Sequence, residues 1–285
     1  GFLFVCSSFL LTSLAYSTLT VWIRVRHLTT HYFYVQKYCK KVGNSYLSTN
    51  FFLILHIVIR LMMKKIIFNK YDKAGLRNLP VVLFPGKINV ILSEAESEKA
   101  VSYLLTKDIL GVDTETRPAF KKGQQHKVAL LQVSTRDECF LFRLNLIGMC
   151  PSVIKLLSNT KVPMVGLSWH DDLCMLHRRA AFKPGRFIDI QDIIGKIGVD
   201  DRSLQKLYAN IFHQKISKKQ RLTNWEADVL TDSQKAYAAT DAWACINLYL
   251  EIKRLSETSD YDLVIRPEVE TETVNKKEDC KTSNS

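Results

Sequence analysis

Three short apolar runs rich in β-formers, Ile109 to Thr114, Val128 to Ser134 and Cys139 to Arg143, follow one another closely, each too short for an ordinary helix. They read as three consecutive strands, connected as hairpins. Helical patterns stand around them at Ser93 to Leu105, Pro151 to Leu157, Asp171 to Arg179, Ser203 to Phe212 and Thr231 to Leu255. A chain that alternates strands and helices buries a sheet between helical layers, so an α/β layered fold with a mixed sheet is predicted.

At 285 residues, 47% of them hydrophobic, the chain has enough apolar side chain for one substantial core. That core is expected within residues 63–256, because both flanks differ in character. Residues 1–62 carry Arg24, Arg26, Lys37, Lys40, Lys41 and Arg60 but no Asp or Glu. Within them, Gly1 to Ile23 is apolar and long enough to cross a bilayer. As an anchor it would keep Arg24, Arg26 and the chain that follows on the cytoplasmic side. The reading taken is an over-extended gene start, since the first methionines are Met62 and Met63 and an ordinary soluble sequence begins at Lys64; a membrane anchor is the alternative. Residues 257–285 mix Thr, Ser, Glu and Lys with few apolar side chains and are expected to be a disordered tail.

The formal charge of +12 suits a polyanionic partner or a membrane surface. Seven cysteines, odd in number and without a C-x-x-C pair, give neither a disulfide framework nor a zinc site. A reducing compartment, the cytoplasm, is the expected location. No G-x-x-x-x-G-K loop is present, so no nucleotide cofactor is expected. Oligomeric state has no signature here.

Chemistry enters with Asp113-Thr114-Glu115, at the end of a strand. Residues two apart in a strand share a face, so the two carboxylates converge and repel unless a cation neutralises them. Hard oxygen ligands of this kind suit Mg2+ or Mn2+. Alone, a D-x-E where a strand meets a turn is more often a pair of solvated turn carboxylates, and the weight rests on two further signals. Tyr237 and Asp241 lie one turn apart on a helix whose start is marked by Thr231-Asp232-Ser233-Gln234, a capping-box spacing. The small residues Ala236, Ala238, Ala239 and Ala242 would let that helix approach the sheet closely. The third signal is Val165-Gly166 leading into His170-Asp171-Asp172. Either aspartate could face the site; Asp172 is preferred because Leu173 and Leu176 would bury against the sheet and fix its direction. His170 is left out, having no partner at ligand spacing.

Together these motifs, in this order from Leu110 to Leu255, resemble the DEDDy 3′-5′ exonucleases, the group of ribonuclease D and the Werner helicase exonuclease domain. Val128-Ala129-Leu130-Leu131-Gln132-Val133 and Leu222-Thr223-Asn224-Trp225-Glu226 resemble its Werner-like branch. The resemblance implies a ribonuclease H-like three-layer fold with a five-stranded mixed sheet flanked by helices. It further implies two divalent cations, Mg2+ or Mn2+, held by Asp113, Glu115, Asp172 and Asp241, with Tyr237 orienting the attacking water. The implied partner is single-stranded or 3′-end nucleic acid, DNA or RNA. Lys121, Lys122 and Lys127 after the first motif, and Lys215, Lys218, Lys219 and Arg221 before the third, are candidates for its phosphates. Gln132 and Trp225 are candidates to shape the groove for the terminal nucleotide, with buried structural roles at least as plausible for a strand Gln and a loop-end Trp.

Overall fold

The computed structural model describes residues 64–121 and 123–266. The extension 1–62 with its candidate anchor, Lys122, and the tail beyond residue 266 lie outside the described residues. Among the described residues, no helix is long and apolar enough to cross a membrane.

The three β-rich runs become β3 (Leu110–Thr116), β4 (Val128–Ser134) and β5 (Glu138–Phe142), paired antiparallel in succession. They form the middle of a six-stranded mixed sheet. β2 (Lys87–Ile91) runs parallel to β5, β6 (Met164–Gly166) parallel to β3, and β7 (Phe187–Asp189) parallel to β6, giving the order β2-β5-β4-β3-β6-β7. The sheet therefore has one strand more than the five expected. β7 is a three-residue Phe-Ile-Asp segment, too short to carry an alternation signal, and exists through its pairing with β6.

Helices cover both faces, which is why β4 is buried at every position. On one side lie α1 (Glu94–Leu104), α3 (Pro151–Leu157) and α4 (Trp169–His177), with the short α2 (Leu144–Ile147). Leu104, Leu156 and Leu176 from that layer join Leu110, Val112, Leu131 and Val133 from the sheet in one cluster. On the other side lie α5 (Ile190–Ile194), α6 (Leu204–Phe212) and the long α7 (Asp232–Thr258). The start of α7 is the expected capping box, Thr231 Oγ1 accepting from the Gln234 backbone while the Gln234 side chain accepts from the Thr231 N–H. Its alanines allow the close approach foreseen. A Cβ on Gly111 would stand 2.0 Å from the Ala242 carbonyl oxygen, so only glycine lets β3 and α7 meet there.

One boundary differs from expectation. The chain does not lose order at residue 257: α7 runs to Thr258, and β8 (Tyr261–Val264) pairs in parallel with β1 (Lys65–Phe68) as a separate two-stranded sheet. The polar average of the tail conceals the alternation Tyr261-Asp262-Leu263, which packs Tyr261 and Leu263 against the α5–α6 side of the core. Lys65 Nζ donates to Glu251 on α7 and ties this sheet to the main body.

Candidate active site

Strand alternation turns Asp113 and Glu115 toward α7, and α7 presents Asp241 to the same point. One carboxylate oxygen from each of the three lies within 4.8 Å of the others. Tyr237, one turn before Asp241, brings its hydroxyl beside the Asp241 carboxylate, and each shifts the other's proton affinity. Its ring packs on Trp225, centroids 6.0 Å apart.

Asp172 arrives from the other layer. It sits on α4, and Thr114, whose side chain points opposite to those of Asp113 and Glu115, donates its hydroxyl to Asp172 Oδ1. Asp172 is thus beside the three clustered carboxylates without being one of them, yet its charge is the strongest acting on Asp113. Asp171 is exposed, whereas Asp172 is turned inward by the burial of Leu176 and partial burial of Leu173. His170 stands out in solvent, 3.6 Å from Asp192.

The direction of α4 is set by Asp189, which neither motif reading nor resemblance singled out. Its buried carboxylate accepts from Ser168 N at 3.0 Å, Trp169 N at 2.6 Å and Gln191 N at 2.9 Å, satisfying the first turns of both α4 and α5. The chain turns sharply at Ser168, with φ of 58°, to enter α4. An Asp closing a short apolar run just before a helix is an N-cap signal, and Ile188-Asp189 had it. Thr114 was likewise visible only as the spacer between two carboxylates.

Burial raises the affinity of these carboxyls for protons. Asp113 is pushed well above the usual carboxylate range, first by desolvation and then by Asp172, Asp241 and Glu115. Glu115 rises to about 9 for the same reasons, with Arg221 opposing. Asp241 rises to about 7 through burial, restrained by the Tyr237 hydroxyl and Lys218, and Asp172 rises to about 7, restrained by Thr114. The Tyr237 phenol is itself pushed up by burial and the surrounding acids, so it is a donor and not a base. Asp241 Oδ1 is buried with no hydrogen-bond partner. A cluster of desolvated hard oxygens with an orphaned acceptor fits a divalent cation, whose charge would reverse every one of these shifts.

The site opens into a cleft of about 170 Å3 lined by Asp113, Tyr237, Asp241, Ser203, Lys218 and Arg221, among others. Lys219 lines an adjoining groove with Val81 and Leu83. Lys121 is exposed on the loop after β3, a loop fastened to the 222–226 segment by Arg117 and His126, 3.3 and 3.5 Å from Glu226. For two residues left open between groove and core, the structure gives the core. Trp225 and Gln132 are both fully buried. A strand with helices on both faces has no solvent side for Gln132 to occupy, and Trp225 is enclosed against Tyr237, so neither offers a face to a nucleotide.

Residues 88–257 match the sequence model of a family described as 3′-5′ exonuclease. The bifunctional 3′-5′ exonuclease/ATP-dependent helicase WRN of Mus musculus is 29% identical over 192 residues, covering 64% of this chain and 14% of that protein. A 3′-5′ exonuclease of Arabidopsis thaliana is 29% identical over 202 residues, covering 65% of this chain and 70% of that one. The chain thus spans only a small part of the first of these. Among solved structures, the Aedes aegypti Nibbler EXO domain superposes with a TM-score of 0.56 at 16% identity, covering 67% of this chain and 93% of that one. That likeness concerns the fold, which is ribonuclease H-like. The match takes in every carboxylate assembled around β3 and α7 and more than half of the sequence, and on that ground the chain belongs to the 3′-5′ exonuclease family.

Proposed function

We propose that the chain is a metal-dependent 3′-5′ exonuclease of the DEDDy type, acting on the 3′ end of single-stranded DNA or RNA. The observation that carries this reading is the meeting of Asp113, Glu115 and Asp241 within 4.8 Å beside Asp172. Asp113, Glu115 and Asp241 would hold one divalent cation. Asp113 and Asp172 would help hold a second. Mg2+ or Mn2+ suits the all-oxygen set, and such ions supply a water acidified at neutral pH and a neutralised leaving oxygen.

The chain's own residues do the rest. Tyr237, beside Asp241 and held at its ring by Trp225, orients the attacking water. That water's oxygen bonds to the phosphorus of the last phosphodiester and the bond to the 3′ oxygen of the preceding nucleotide breaks, releasing a nucleoside 5′-monophosphate. Lys218 and Arg221 at the cleft wall, with Lys219 and Lys121 further out, hold the phosphates by charge. The catalytic domain would run from β1 through β8, and its location would be the cytoplasm, where the free thiols of Cys139, Cys150, Cys174 and Cys245 would stay reduced.

The test is digestion of 5′-labelled and 3′-labelled single-stranded DNA and RNA with Mg2+ or Mn2+. A 5′-labelled ladder shortening from the 3′ end, absent with chelator and absent in Asp113→Ala, supports the reading. An intact substrate that the protein still binds contradicts it and leaves a nucleic-acid-binding module.

A further inference from the structure

Gln132 is the one polar side chain of the described core whose donor and acceptor are both without partners. It is fully buried, and neither Nε2 nor Oε1 makes a hydrogen bond. Leaving a carboxamide in that state works against folding, and an apolar side chain of the same volume would fold at least as well. A residue that is unfavourable for folding at the centre of a sheet points to a task in the loaded site.

Its position names the task. Gln132 on β4 stands directly opposite Asp113 on β3 in the antiparallel register. Directly opposed residues share a face of the sheet, with Cβ atoms roughly 4.5–5.5 Å apart. That face is the one on which Asp241 meets Asp113 and Glu115, and Asp241 Oδ1 is also buried and unpartnered. An unused amide donor and an unused carboxylate acceptor therefore lie on one enclosed face beneath α7, alongside Leu130 and the small residues Ala238 and Ala239.

We propose that Gln132 is a positioning residue of the cation site, whose carboxamide fixes the clustered carboxylates, Asp113 foremost, in the orientation that binds metal. It does not touch nucleic acid. This inference rests on the metal-site reading above, and it assigns Gln132 an effect on cation affinity that a core-filling residue would not have. Groups that orient metal ligands typically change metal affinity or activity 10–100-fold when removed.

The experiment is Mn2+ binding to the full chain by calorimetry or by electron paramagnetic resonance, without substrate. Gln132→Met keeps the volume and removes the hydrogen bonds. Leu130→Val disturbs the same buried face without removing a polar group. The expected result is Mn2+ binding by the wild type, weakened about 10–100-fold in Gln132→Met and within about 2-fold of wild type in Leu130→Val. The thermal midpoint of Gln132→Met in chelator is expected to be no lower than that of wild type. Wild-type affinity in Gln132→Met overturns the proposal, as does equal weakening in Leu130→Val, which would make the effect one of packing. No Mn2+ binding by the wild type overturns both this proposal and the metal site on which it rests.

Discussion

Asp113 is held, in the metal-free chain, at the lowest point of a field made by Asp172, Asp241 and Glu115, with no cation in contact to offset it. Removing its charge relieves that repulsion and destroys the ligand set at one stroke. Asp113→Asn is therefore expected to raise metal-free stability by about 1 kcal/mol, read as a shifted urea midpoint at constant slope, while lowering exonuclease activity at least about 100-fold. A variant that is both less stable and still active would contradict this account of the site. Tyr237 differs in kind, since its phenol is pushed upward and cannot serve as a base. Tyr237→Phe is expected to lower kcat on the order of 100-fold with KM changed less than about 3-fold, because orientation is lost and phosphate contacts are kept. The carboxylates were legible as residues because a strand and a helix each have a fixed period. Gln132 and Trp225, which the sequence left open between groove and core, lie in the core, and it could not decide between the two because period gives the face of an element and does not say whether a second layer covers that face.

The strand β3 and the helix α7 carry three of the four acids, and their separation is set by a glycine. A methyl group at Gly111 would meet the Ala242 carbonyl at 2.0 Å, so the two elements must part. Gly111→Ala is expected to destabilise the fold by about 2–3 kcal/mol and to lower activity beyond what the loss of folded protein explains, checked by chemical denaturation and by activity per folded molecule. Elements such as β3, β4 and α7 could be read because they are long, apolar and capped by recognisable residues. β1, β7 and β8 could not, being three or four residues long and existing only through pairing with a distant partner. β8 in particular lies where composition indicated a tail, and its Leu263 reaches back to Gly198. Asp189 belongs to the same lesson, since its cap on α4 joins segments that the sequence places 21 residues apart.

Across the whole molecule, the cost of gathering these acids appears as a dependence of stability on pH. Their folded values lie above the ordinary carboxylate range near 4, so protonation favours the folded metal-free chain. That contribution is whole below about pH 4 and is lost as pH rises through about 7 for Asp172 and Asp241 and about 9 for Glu115. In chelator, the thermal midpoint is expected to fall between pH 6 and pH 9, by roughly several degrees for a chain of this size. Millimolar Mg2+ or Mn2+ should restore it most at the alkaline end, where the ligands are ionised. A midpoint that rises with pH in chelator, or that ignores the cation, would contradict the electrostatics described here. The most direct measurement is anomalous diffraction from crystals soaked in Mn2+. Two peaks about 4 Å apart, bounded by Asp113, Glu115 and Asp241 with Asp172 beside the second, are the expected result. An empty cluster at saturating Mn2+, or a single ion bound elsewhere, would contradict the claim that these carboxylates form a two-cation nuclease site.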